Sequence, residues 1–140
     1  MEALTTNGVV TDFDGNFDDV KYIIDISREA LCGSGGELLR PAATLDGERY
    51  AQMRLAVGTD AGGGAHPGWR TRLMQADAVF DMMSGKYPSL MMPTLISRAR
   101  LNQHLPRCTL TLRIGSLGNC FAEAENSAKL FADAFADAVG

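Results

Sequence analysis

Apolar positions along this chain recur with two different spacings, and the spacing divides it into elements. Val20, Ile23, Ile24, Ser27 and Leu31 fall one helical turn apart, which predicts an amphipathic helix from Phe17 to Cys32. Asn16 is placed to cap it, Asp18 and Asp19 stand in the first turn where the helix dipole favours acids, and Gly33 follows as a stop. Leu73, Ala76, Val79, Phe80 and Met83 predict a second helix over Trp69–Ser84, ended by Gly85. Phe121, Ala124, Ala128, Phe131 and Phe135 predict a final Ala-rich helix over Cys120–Val139, with Asn119 as its cap.

Alternation of period two marks the strands. Leu38–Leu45 and Glu48–Val57 flank Asp46-Gly47, a pair suited to a two-residue hairpin turn. Met53, Leu55 and Val57 point one way, and Gln52, Arg54 and Ala56 the other. Cys108, Leu110, Leu112 and Ile114 alternate with Thr109, Thr111 and Arg113, predicting a strand over Arg107–Gly115. Thr94–His104 fits a short helix or a strand equally, and residues 86–93 read as a proline-bounded apolar connection. Residues 1–15 read as an irregular N-terminal arm with a short strand within Leu4–Phe13, and residues 59–68 as a flexible Gly-rich loop.

Strands that alternate, without a regular strand-helix-strand order, point to an α+β domain over 1–140. The expected architecture is a small antiparallel sheet, made of the hairpin plus a later strand, packed by three or four helices. A hydrophobic content of 46% and a charged content of 21% are those of a chain that buries a core. The N-terminus lacks the basic and apolar segments of a secretory signal, and no apolar run approaches the roughly 20 residues of a membrane span. Cys32, Cys108 and Cys120 are widely spaced and form no zinc-type pair. The expectation is a cytoplasmic protein with reduced thiols and no membrane contact.

Charge is sorted along the chain. Residues 1–60 hold eleven acids and five bases, residues 61–120 seven bases and two acids, and residues 121–140 four acids and one base. Ten of the thirteen bases are arginine, whose planar fork suits carboxylates. Arg70, Arg72, Arg98, Arg100, Arg107 and Arg113 are therefore candidate interface residues that would meet acidic faces of other copies. The net charge of −4 makes nucleic acid an unlikely partner for them. Gly62, Gly63, Gly64 and His66 form a candidate contact loop, which could cradle an anion ahead of the second helix beside Arg70 and Arg72. His66 and His104 are the only histidines.

The sharpest chemical motif is Val9-Val10-Thr11-Asp12-Phe13-Asp14-Gly15. It resembles the first motif of the haloacid dehalogenase superfamily of phosphatases. The resemblance implies Asp12 as nucleophile, Asp14 as general acid/base and Mg²⁺ held by both, although Asn16 stands where that family has threonine. No complete catalytic constellation accompanies it, so catalytic residues and cofactors are expected to be none, with Mg²⁺ and the two aspartates belonging to the alternative. The leading expectation is a non-enzymatic assembly protein, a homo-oligomer or ring built from complementary acidic and Arg-rich faces. By size and architecture it is analogous to phage tail or capsid subunits, hence part of a virion assembled in the cytoplasm. The alternatives are a divergent Mg²⁺-dependent phosphatase and an anion- or nucleic-acid-binding module.

Overall fold

The computed structural model describes residues 2–4, 10–12, 21–104 and 108–140. Its elements in order are β1 (Glu2–Leu4), β2 (Val10–Asp12), β3 (Tyr22–Glu29), β4 (Ala42–Leu45), β5 (Glu48–Ala51) and β6 (Met53–Gly58). There follow α1 (Trp69–Lys86), β7 (Leu95–Ser97), β8 (Cys108–Ser116) and α2 (Phe121–Val139). Four strands join in the order β3-β8-β6-β7, while β1-β2 and β4-β5 are separate two-stranded pairs.

The expected small antiparallel sheet with three or four helices is not what forms. Two helices are present among the described residues, and the main sheet contains a parallel pair, β6 with β7. The helix expected over Phe17–Cys32 is the clearest departure: its described part contains strand β3 and no helix. Tyr22-Ile23-Ile24-Asp25-Ile26 puts three isoleucines within one short run. Branched side chains lose χ1 freedom in a helix and pack well on a pleated surface, so pairing with β8 decides between two readings that the apolar spacing alone allows. The Asn16, Asp18 and Asp19 cap lies outside the described residues. Gly33, expected to end a helix, instead opens a turn in which its N–H donates to the Glu37 carbonyl at 2.8 Å.

Local signals elsewhere act as the sequence implies. Asp46 and Gly47 both adopt positive φ, 51° and 81°, and join β4 to β5 with Leu45 opposite Glu48. Glycine suits this turn because two successive left-handed residues are needed. The second hairpin strand does not run on to Val57: it breaks at Gln52, and β6 joins the main sheet. There β6 and β8 are the two central strands, so Leu55, Ala56 and Val57 are all buried, as are Leu110, Thr111 and Leu112. Ala56, assigned by alternation to an outer face, is covered because a central strand has both faces occupied.

The chain divides into two compact units. Unit 1 holds Met1–Ser27, Leu55–Asp77 and Thr94–Leu112; unit 2 holds Arg28–Arg54, Ala78–Pro93 and Arg113–Gly140. The core of unit 2 gathers Ala43, Ala51, Met53, Met83, Leu90, Ile114, Phe131 and Ala134. Its helix α2 lies against β5, and the Ser127 hydroxyl donates to the Ala51 carbonyl at 2.6 Å. Phe121, expected to face inward, is 74% exposed because the buried stripe runs through Glu123, Ser127, Phe131 and Ala134. Asn119, expected to cap α2, instead accepts from the Ser116 N–H and donates to the Pro41 carbonyl. Cys120 takes the cap position, and its N–H donates to the Glu123 carboxylate.

Candidate functional site

The site lies within unit 1, where two segments distant in sequence deliver polar side chains to one cavity. The first is the Gly-rich loop after β6. It packs against residues 97–100. The Thr59 hydroxyl donates to the Ser97 carbonyl at 2.8 Å, and the Gly62 N–H to the Arg98 carbonyl at 3.0 Å. A Cβ at Gly62 would come within 2.7 Å of that same carbonyl oxygen, so the approach requires glycine. Arg98 donates to the Ala61 carbonyl at 3.1 Å and Arg100 to the Ala65 carbonyl at 3.4 Å. The loop thus held places His66, only 2% exposed, immediately before α1, and the His66 carbonyl accepts from the Trp69 N–H.

The second segment follows β7. Leu101 and Asn102 both have positive φ, 54° and 58°. For leucine that backbone is costly, and such strain persists only where surrounding contacts over-determine it. The over-determining residue is Gln103. Its amide nitrogen donates to the Ala56 carbonyl at 2.8 Å and the Thr111 hydroxyl at 2.9 Å, while its amide oxygen accepts from the Gly58 N–H at 2.9 Å. Gln103 pins the left-handed turn to the sheet and sets His104 beside His66, with ring centroids 6.4 Å apart and the rings nearly perpendicular.

Between these segments is a cavity of about 280 Å³ lined by His66, Pro67, Gly68, Thr71, Arg72, Gln103 and His104. Nε2 of His66 and Nδ1 of His104 are buried and have no hydrogen-bond partner among the described residues. Arg72 frames one side, with Nε on the Gln103 carbonyl at 3.1 Å and Nη1 on the Gln75 side chain at 3.0 Å. Burial pushes the His66 imidazole below the usual histidine value. His104, Arg72 and Arg100 act in the same direction and Asp60 opposes them. The ring is therefore neutral at neutral pH, able to accept a proton on one nitrogen and donate from the other.

The donor set fits a cation poorly. Two imidazoles fall short of the three or four ligands zinc takes, and nearby guanidinium groups repel positive charge. No group of three or more His, Cys, Asp or Glu suited to a metal ion occurs among the described residues.

The other candidates are dispersed. Gly62, Gly63 and Gly64 belong to the packed loop, with Gly63 at φ 98°. Arg70 stacks over Trp69 at 4.4 Å from the ring centre. Arg113 lies on β8 within unit 2, and Arg107 lies outside the described residues. Asp12 ends β2 opposite Glu2 in an antiparallel pair, while Asp14 is outside the described residues. Sequence reasoning had no sign of Gln103 and no reason to join His104 to His66. The adjacent amides and imidazole of Asn102-Gln103-His104 were the one available hint. No helix among the described residues is long and apolar enough to cross a membrane.

A family model described as Stage II sporulation protein P (SpoIIP) matches residues 7–136. No curated protein and no solved structure matches the chain. The family match overturns the expected virion or assembly subunit, the haloacid dehalogenase alternative and the anion- or nucleic-acid module. The seven residues around Asp12 and Asp14 were a local likeness. Glu123, in the acidic C-terminal stretch, pairs with Arg40 and Arg49 from the acidic N-terminal one, and Arg98 and Arg100 bond to carbonyls of their own unit. With nearly its whole length matched, the chain belongs to the Stage II sporulation protein P family.

Proposed function

We propose that the chain engages peptidoglycan during sporulation as a hydrolase-like wall protein, and that the His66–His104 cavity of unit 1 is where the polymer is held. The observation that carries the reading is the family match over residues 7–136, which points to a sporulation-related, peptidoglycan hydrolase-like protein. The cavity supports it. A fixed loop, a strained turn and a buried amide are arranged around two imidazoles that no described residue satisfies. Unsatisfied buried polar groups beside an opening and strained backbone both concentrate at sites of function. A volume near 280 Å³ is at the small end for ligand pockets, which suits one group of a long polymer rather than a whole free ligand.

Co-sedimentation with purified peptidoglycan sacculi tests the reading. The protein is expected in the pellet, with His66→Gln left in the supernatant. The same tubes report turnover. Release of soluble fragments, stopped by His66→Gln, assigns the neutral imidazole a proton-accepting part in cleavage, whereas pelleting without release makes the chain a wall-binding member. A wild-type protein that neither pellets nor releases fragments removes the proposal.

A further inference from the structure

We propose that Arg100 is a positioning residue for His66: it latches the outer end of the Gly-rich loop, Gly64 and Ala65, to a post fixed on the main sheet. The latch itself is a property of unit 1, and its consequence for the polymer rests on the cell-wall reading above.

The loop is held unequally along its length. Its inner half is tied by several bonds. The Thr59 N–H and hydroxyl both donate to the Ser97 carbonyl, at 3.1 and 2.8 Å. The Ala61 N–H donates to the Thr59 hydroxyl at 3.2 Å, and the Gly62 N–H to the Arg98 carbonyl at 3.0 Å. The outer end has one such tie. Arg100 Nη1 donates to the Ala65 carbonyl at 3.4 Å, and among the described residues no other hydrogen bond reaches Gly64 or Ala65. A Cβ on Gly64 would lie 2.7 Å from Arg100 Nε and 2.9 Å from its Cδ, so the arginine stem rests on bare backbone. Gly64 does not adopt positive φ, so it is this close approach that calls for glycine.

The root of the arm is rigid. The Arg100 carbonyl accepts from the Gln103 N–H at 3.0 Å, and a Cβ on Gly58 of β6 would strike that same carbonyl. Gln103 is in turn bonded to Ala56, Gly58 and Thr111. Ala65 immediately precedes His66, whose carbonyl accepts from the Trp69 N–H of α1. His66 is therefore fixed from one side by the latch and from the other by the helix. Gly63, at φ 98° with its N–H on the Asp60 carbonyl, is where the backbone can turn when the latch opens. A segment tied by one exposed bond opens at low cost, and opening uncovers an imidazole that is 2% exposed when latched. Burial is the main cause of the lowered His66 pKa. His104, Arg72 and Arg100 add to it, and Asp60 opposes them. Burial and the Arg100 charge both depend on the latch, so loosening it moves that pKa up toward the ordinary value.

Amide hydrogen exchange and NMR titration of the imidazole test the inference on the free protein. Arg100→Ala removes the bond and the charge, whereas Gly64→Ala keeps the charge and displaces the arm from its bed. Both are expected to speed exchange of the Gly63 and Trp69 amides about fivefold, the factor that one net hydrogen bond represents, and to raise the His66 pKa. The Thr59 and Gly62 amides, on the inner half, are expected to keep wild-type rates. Arg100→Lys, which retains a donor and the charge, is expected to recover part of both effects. Unchanged exchange at Gly63 and Trp69 overturns the latch, as does equal acceleration at all four amides. A higher His66 pKa in Arg100→Ala but not in Gly64→Ala reduces Arg100 to its charge and overturns the positioning role. Pelleting with sacculi is expected to weaken in both alanine variants, and pelleting equal to wild type overturns the functional consequence. A wild-type protein that does not pellet removes the cell-wall reading, while exchange and titration still decide the latch.

Discussion

Unit 1 and unit 2 both bury polar side chains, and they dispose of them differently. In unit 2 the buried carboxylate of Glu123 is surrounded. Arg40 Nε reaches one oxygen at 2.8 Å, Arg49 Nε the other at 3.1 Å, and the Cys120 N–H donates to the first at 3.1 Å. Burial alone would raise its pKa, but the Arg40, Cys120 and Arg49 bonds outweigh it and bring it to about 2. Ser127 and Asn119 are likewise bonded within the unit. In unit 1 Gln103 is fully bonded, yet His66 and His104, which line a cavity, each keep a buried nitrogen with no partner among the described residues. A closed polar cluster fixes loops and helix ends, whereas an open one keeps bonding capacity for a ligand. The difference separates what holds this protein together from what it offers to a partner.

Substitutions can break that contrast from either side. Gln103→Leu in unit 1 should have the largest effect. It strands the Ala56 carbonyl and the Gly58 N–H in a buried sheet and releases the left-handed turn, at a cost of about 3 kcal/mol seen as a lower urea midpoint. A midpoint unchanged from wild type would show that Gln103 does not anchor the turn. Glu123→Gln should cost about 2 kcal/mol, less than for an enclosed pair because Arg40 and Arg49 are half-exposed and can turn to water.

Acid titration sharpens the contrast, because each unit has its own window. The His66 pKa is lowered on folding, so the unfolded chain binds its proton more readily and stability falls as pH drops below about 6.5. The Glu123 pKa is lowered to about 2, so its contribution is complete above the unfolded value and is lost as pH falls towards 2. Thermal unfolding across pH should show two successive losses. His66→Gln should erase only the upper one and Glu123→Gln only the lower one. Gly47→Ala, at φ 81° in the β4–β5 turn, should cost about 1 kcal/mol by equilibrium unfolding and leave ligand binding intact. Phe121→Ser should shift stability by no more than about 0.5 kcal/mol, since the ring is largely in solvent; a larger loss would place it in a contact that its exposure does not suggest.

Elements with strong short-range signals were legible. The Asp46-Gly47 turn, the stripe through Leu73, Ala76 and Met83 in α1, and the alternation from Leu110 to Ile114 each draw on residues within one turn or one strand. Strand β3 was not legible, because Val20, Ile23, Ile24, Ser27 and Leu31 satisfy helical spacing while Ile23, Ile24 and Ile26 suit a strand, and the partner that decides the matter is β8. Strand β7 spans only Leu95–Ser97 and pairs in parallel with β6, a pairing with no local turn to announce it. Asp12 and Asp14 drew attention through spacing alone, whereas the family is apparent only over residues 7–136.

By itself the sequence determined the Asp46-Gly47 turn, helices α1 and α2, strand β8 and the membership of a sporulation family, because propensity, periodicity and extended likeness reside in the order of residues. Only the tertiary structure decided that β3 is a strand, that β6 leaves its hairpin for the main sheet, and that His66 and His104 face one cavity. Those outcomes depend on which distant segments meet. A backbone hydrogen bond or an imidazole left without a partner has no meaning until the surrounding chain has excluded water from it.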